Sequence, residues 1–193
     1  MRVVLLTGVL TGVLLAMAGC RPGEPLPSIA AVPAFEMRDQ DGAAFTDREL
    51  RGRVAVVSFM FTSCPDVCPI LTSKLSGLRT QLLAQREQLR IVSISVDPEK
   101  DTPAVLKEFA QKHGADYPDW RFLTGPLAKL REVVVQGFKQ SLDRGDGSPH
   151  AIMHGSHFVL VDRKGTIRGF YRSDEQGVLL IARDARRLIA GKE

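Results

Sequence analysis

The chain has 193 residues, 44% hydrophobic and 25% charged, which suits one domain with an ordinary core plus terminal segments. Its 26 basic and 22 acidic residues leave a formal charge of +4, spread along the sequence without a dense basic run, and this argues against a nucleic-acid partner. The three cysteines, Cys20, Cys64 and Cys68, divide into one near the start and a close pair.

Residues 1–20 begin with Arg2, continue as an apolar run and end in Ala18 and Gly19 before Cys20. This is the pattern of an export signal closing on a lipoprotein box, so Cys20 is the expected lipidation site. An uncleaved anchor helix or simple cleavage are the alternatives for the same run. All three place the rest of the chain outside the cytoplasm, in the cell envelope of a bacterium on the periplasmic side, where a dithiol can be oxidised. Residues 21–33, with Pro22, Pro25, Pro27 and Pro33, read as an extended tether, and the domain is expected over 34–193.

Residues 35–38 and 44–46 flank a turn-rich link and predict a hairpin. The nearly unbroken apolar stretch 53–61 predicts a strand covered on both faces. Directly after it comes Thr62-Ser63-Cys64-Pro65-Asp66-Val67-Cys68-Pro69. Leu71, Leu75, Leu78 and Leu82 recur at helical spacing, which predicts a helix over 69–86. A proline deep in a helix removes a hydrogen bond and clashes, so the helix should start near Cys68 or Pro69 after a tight lead-in. Both sulfurs then lie at the positive end of that helix, where thiolate is favoured.

Residues 88–96 predict a second central strand. Asp101 or Thr102 can cap a helix with Pro103 at its first position, running to His113 and stopping at Gly114. A short strand over 120–123 follows, then a helix from Pro126 to Gln136, a polar loop over 138–153, a hairpin from 157–162 and 166–171, and an amphipathic helix over 174–190. The order is that of a thioredoxin-like α/β domain: a single domain with a central mixed sheet flanked by helices. The cysteine pair falls at the carboxyl end of a central strand, where open α/β sheets place their sites.

The pair admits more than one chemistry. A four-residue offset brings the Cα atoms to about 6 Å, close enough for a disulfide and for dithiol exchange. Reductases of this fold place a proline just before the third strand, and here Met153-His154-Gly155-Ser156 stands instead. A thiol peroxidase of this fold carries a threonine three residues, and a proline seven residues, before its reactive cysteine. This chain has Phe61 and Val57 there. Two thiolates with an imidazole suit copper(I), and they suit zinc as well.

Three separated motifs resemble the Sco/SenC family over roughly residues 33–190. They are the octet 62–69, the segment 95–103 (Ser-Val-Asp-Pro-Glu-Lys-Asp-Thr-Pro), and His154-Gly155-Ser156 ahead of residues 158–162. The resemblance implies a thioredoxin-fold, membrane-anchored copper-binding protein that helps to assemble the dinuclear copper centre of cytochrome c oxidase. It implies Cys64 and Cys68 as sulfur ligands and His154 as the nitrogen ligand, for copper as Cu(I) and also Cu(II). The copper-bearing oxidase subunit is then the expected partner, with a further periplasmic copper chaperone or thiol reductase upstream. Oxidation to a Cys64–Cys68 disulfide would switch binding off. A thiol-disulfide reductase that keeps the target's cysteines reduced is the alternative, and a copper sensor a third reading. Among the other histidines, His113 is expected on the surface at a helix end, His150 in a solvated loop, and His157 as runner-up ligand on the opposite face of its strand. Met60 and Met153 are expected to pack, and Asp66, Asp97 and Asp101 carry no ligand role.

Overall fold

In the computed structural model, residues 24–140 and 157–191 are described. The sheet is built on β4 (Val54–Met60), every residue of which is buried, as its continuous apolar run demands. It pairs in parallel with β5 (Leu89–Ser95), and β5 in parallel with β6 (Trp120–Thr124). On the other side of β4 lies β7 (His157–Val161), antiparallel, followed by its hairpin partner β8 (Thr166–Arg172). With β1 (Ala30–Ala31), β2 (Glu36–Asp39) and β3 (Ala44–Thr46), the sheet order is β1-β8-β7-β4-β5-β6-β2-β3. Among the described residues, four α-helices flank it: α1 (Val67–Gln81), α2 (Pro103–Lys112), α3 (Leu127–Arg131) and α4 (Glu175–Ile189).

The core is mainly aliphatic, with aromatic contacts at its centre. Trp120 stacks on Phe122 at 5.5 Å, and Phe59 meets Phe138 edge-on at 5.5 Å. Two polar groups in the strand centres satisfy each other, because Ser58 and Ser93 pair at 2.9 Å and Trp120 Nε1 donates to Ser93 Oγ at 3.0 Å.

Helix α1 starts at Val67, earlier than the sequence suggests, and Pro69 is its third residue. There the missing N–H has no intrahelical acceptor, so the proline costs nothing. The helix ends at Gln81, and a 3₁₀ turn over Leu83–Gln88 completes the link to β5. The predicted helix 126–136 is α-helical only to Arg131, and then widens into a π turn over Glu132–Gly137. That turn seats Gly137 against Pro33, where a Cβ would lie 2.2 Å from Pro33 Cγ.

The stretch 21–33, expected as a tether, is extended but attached where it is described. The Ile29 N–H donates to Ile167 O at 2.9 Å and the Val32 N–H to Gly165 O at 2.8 Å, which covers the outer edge of β8. Arg168 donates from Nε to Pro27 O (2.9 Å), from Nη2 to Leu26 O (2.7 Å) and from Nη1 to Asp162 Oδ2 (2.9 Å). The chain from Leu26 to Val32 is thereby bonded to β8 and the turn before it. Burial pushes the Asp162 carboxyl upward, yet the Thr166 N–H and the Arg168 guanidinium outweigh it and hold the group below its ordinary range. Arg168→Ala is expected to cost about 3 kcal/mol, because it leaves Asp162 buried without its cation. Thermal melting should show the loss, and limited proteolysis should cut within residues 24–32 first.

Candidate metal centre

Leaving β4 at Met60, the chain makes a tight turn, with the Cys64 N–H donating to Phe61 O at 3.3 Å, and enters α1 through Asp66. Cys64 thus sits just ahead of the helix and Cys68 in its first turn. The Cys68 N–H donates to Cys64 Sγ at 3.4 Å, so one sulfur caps the positive end of the helix. Neither cysteine forms a disulfide, and both are buried, with residues 8% and 3% exposed. The rim around them is open, since Ser63, Pro65, Asp66, Val67 and Ile70 are all exposed.

The expectation that the helix end favours thiolate fails for Cys68. Burial pushes its thiol up to about 12, and the charges of Cys64 and Asp101 add to this against a lowering contact with the Phe61 backbone. Loss of water outweighs the helix end, so at neutral pH the metal-free Cys68 is a thiol.

The turn is held by Asp101, which the sequence offered as a cap or loop-shaping residue with no ligand role. Asp101 is fully buried, and its carboxylate accepts from the Thr62 N–H at 3.1 Å, from Thr62 Oγ1, and from Ser95 Oγ at 2.6 Å. Of the two capping candidates for α2, Thr102 takes the cap, accepting from the Val105 N–H at 3.4 Å. Asp101 instead turns inward and clamps the α2 lead-in to a residue two before Cys64. Burial, followed by the charge of Asp97, pushes the Asp101 carboxyl above its ordinary value despite the three bonds from Ser95 and Thr62. The only advance signal was its place in the segment 95–103.

His154, the expected third ligand, lies outside the described residues, as do Cys20, His150 and Met153. His157 opens β7, half-buried and opposite Arg172. Continuing the register that pairs Val57 with Val159 brings it alongside Phe59, so the chain enters β7 at the cysteine end of the sheet. His113 closes α2 with its ring 4.3 Å from Phe109, and burial, with the charge of Lys112, holds it below the usual imidazole range. Met60 is buried in the core, as expected. Among the described residues no three Cys, His, Asp or Glu side chains gather into a metal cluster, so Asp66, Asp97 and Asp101 do not complete one around the sulfurs.

Two soft donors at the start of one helix, buried beneath an open rim, fit a low-coordinate thiophilic ion. The fold and this dithiol define the protein as a thioredoxin-like domain with a sulfur site at the carboxyl end of its central strand. Residues 24–190 match the SCO1/SenC family, and the chain belongs to it. A SCO1/SenC family lipoprotein from Bacillus anthracis superposes with a TM-score of 0.76 at 32% identity, covering 86% of this chain and 97% of that one. BsSco, a Sco-family cytochrome c oxidase assembly protein in which a disulfide switch was identified, gives 0.75 at 31% identity over 86% and 96%. Bradyrhizobium japonicum ScoI, with copper bound, gives 0.68 at 28% identity over 82% and 99%.

Proposed function

We propose that this protein is an exported, membrane-tethered copper chaperone that holds copper through Cys64, Cys68 and His154 and passes it to the dinuclear copper centre of cytochrome c oxidase. The observation that carries the reading is the pair of buried, free cysteines, Cys64 just ahead of α1 and Cys68 in its first turn. Burial excludes water and suits copper(I), while the open rim lets an acceptor's ligand approach for exchange. The copper-bound and oxidase-assembly proteins of the same family support both the metal and the destination. Tethering rests on the N-terminal signal ending at Cys20 and on the lipoprotein relative. No helix among the described residues is long and apolar enough to cross a membrane.

The test is metal analysis of the reduced protein with each ligand changed in turn. His154→Ala is expected to weaken copper retention while leaving disulfide exchange on a target dithiol intact. Lost exchange with unchanged copper binding would instead support the thiol-disulfide reductase, the reading favoured by the disulfide switch in BsSco. Copper stoichiometry indifferent to all three positions would end the chaperone reading.

Binding should also depend on pH. Because the Cys68 thiol lies at about 12, copper displaces its proton throughout the neutral range. Affinity is therefore expected to rise about tenfold per pH unit from this group between about pH 6 and 9. Chelator competition at several pH values checks this, and Cys68→Ser should remove that part of the slope.

A further inference from the structure

At the end of the sheet opposite the cysteines the fold gathers arginines. Arg53 precedes β4, Arg90 is the second residue of β5, Arg79 lies in the last turn of α1, and Arg86 in the 3₁₀ turn between α1 and β5. With Glu87 and Asp119 they line a cleft of about 470 Å³. Asp119 is already taken, because both its oxygens accept from Arg79 Nε, at 2.9 and 3.0 Å. Glu87 meets Arg86 at 3.4 Å on the open surface.

Arg53 and Arg90 remain without an acceptor among the described residues. Arg90 Nε is buried with no hydrogen-bond partner. Its guanidinium faces Phe45, with Cζ 5.7 Å from the ring centroid, and stands near Arg53 and Arg121, which repel it; Glu49 and Asp119 are the nearby acids. A half-buried cation with an orphaned donor beside like charges is costly until an anion meets it.

We propose that this cleft binds a phosphate group, held by Arg53 and Arg90 with Arg86 at its mouth. Guanidinium forks match phosphate oxygens in pairs. Arg79, charge-compensated by Asp119 and lying 3.8 Å over the Tyr117 ring, forms a rigid wall. The volume falls in the range of small-molecule sites, so an organic phosphate fits as well as the free ion. The N-terminal segment joins the domain at this same end. Arg187 Nη2, in the last turn of α4, donates to Glu24 O at 2.6 Å, and its neighbour Arg186 donates to Gln81 O, where α1 ends, at 2.9 Å. Tethering at Cys20, as proposed above, would bring the cleft to lipid headgroups.

Calorimetry on the full chain in neutral detergent tests this with three probes: inorganic phosphate, sn-glycerol 3-phosphate, and micelles doped with phosphatidylglycerol against phosphatidylcholine. Saturable binding of at least one phosphate probe is expected, weakened roughly tenfold or more by Arg53→Gln and by Arg90→Gln. Arg48→Gln, at an exposed arginine outside the cleft, should leave it unchanged. Binding of phosphatidylglycerol alone identifies a headgroup as the source, and binding of the soluble probes identifies a soluble phosphate. Arg90→Gln removes no hydrogen-bond partner and relieves repulsion from Arg53 and Arg121, at the loss of a 5.7 Å contact with Phe45, so its melting temperature should not fall; Arg53→Gln, at the strand margin, gives the same test independently. Absence of saturable binding for all probes, equal losses in Arg48→Gln and Arg90→Gln, or no loss in either cleft variant would overturn the proposal.

Discussion

Cys68→Ser is expected to lower copper affinity by about a thousandfold while leaving the far-UV spectrum and melting temperature nearly unchanged. Metal-binding energies of roughly 10–16 kcal/mol, shared among three or four ligands, assign about 4 kcal/mol to each. A hydroxyl of similar shape leaves the buried position filled but is too hard a donor for copper(I). Cys64→Ser should cost as much for the same reason, and the double variant should add little, since a single remaining soft ligand no longer defines a site. Competition against a copper(I) chelator measures the loss. Retention within tenfold of the parent would place the metal elsewhere.

Asp101→Ala is expected to destabilise the domain by about 3 kcal/mol, because the Thr62 N–H and the Ser95 hydroxyl lose a buried acceptor at about 1–3 kcal/mol each. It should also weaken copper retention about 10- to 100-fold, in line with other groups that orient ligands from behind. Asp101→Asn separates charge from geometry. An amide oxygen still accepts from Thr62 while its NH₂ donates to Ser95 Oγ, so the loss should stay within about 1 kcal/mol at pH 7. The sign of the pH dependence follows from the raised carboxyl. A folded-state value above the unfolded one contributes stability at low pH that disappears as pH rises through the folded value. The parent should therefore lose melting temperature relative to Asp101→Asn between about pH 4 and neutrality. Removing the charge should also ease deprotonation of Cys68, which Asp101 opposes, so the Asn variant should bind copper at least as well as the parent at pH 7. Equal behaviour of the Ala and Asn variants would show that Asp101 does not hold the turn.

Much of the site was legible locally. Residues 53–61 announced a covered strand by composition alone, and β4 spans Val54–Met60 with both faces buried. The helical spacing of Leu71, Leu75 and Leu78 carried over into the buried side of α1. Those signals are short in range: a strand that is apolar throughout has no solvent face, and a leucine every three or four residues packs one side of a helix wherever the helix lies. The turn chemistry was legible in the same way, with Thr102 and Pro103 opening α2.

What the sequence by itself determined, then, was the order of elements, the two sulfurs at the end of the central strand, and the motifs that mark the family. Tertiary structure decided the balance of forces upon them. The helix end argued for a Cys68 thiolate, and burial, which depends on what packs against the first turn of α1, overruled it. Asp101 reads as a cap until the fold brings Thr62 next to it, 39 positions away in the chain. The proline-containing stretch before Phe35 reads as a tether until β8 offers it an unpaired edge. Four arginines between residues 53 and 90 leave no basic run in the sequence, yet they converge because parallel strands all begin at the same end of the sheet. Charge density in space is set by that topology, and one-dimensional spacing carries no record of it.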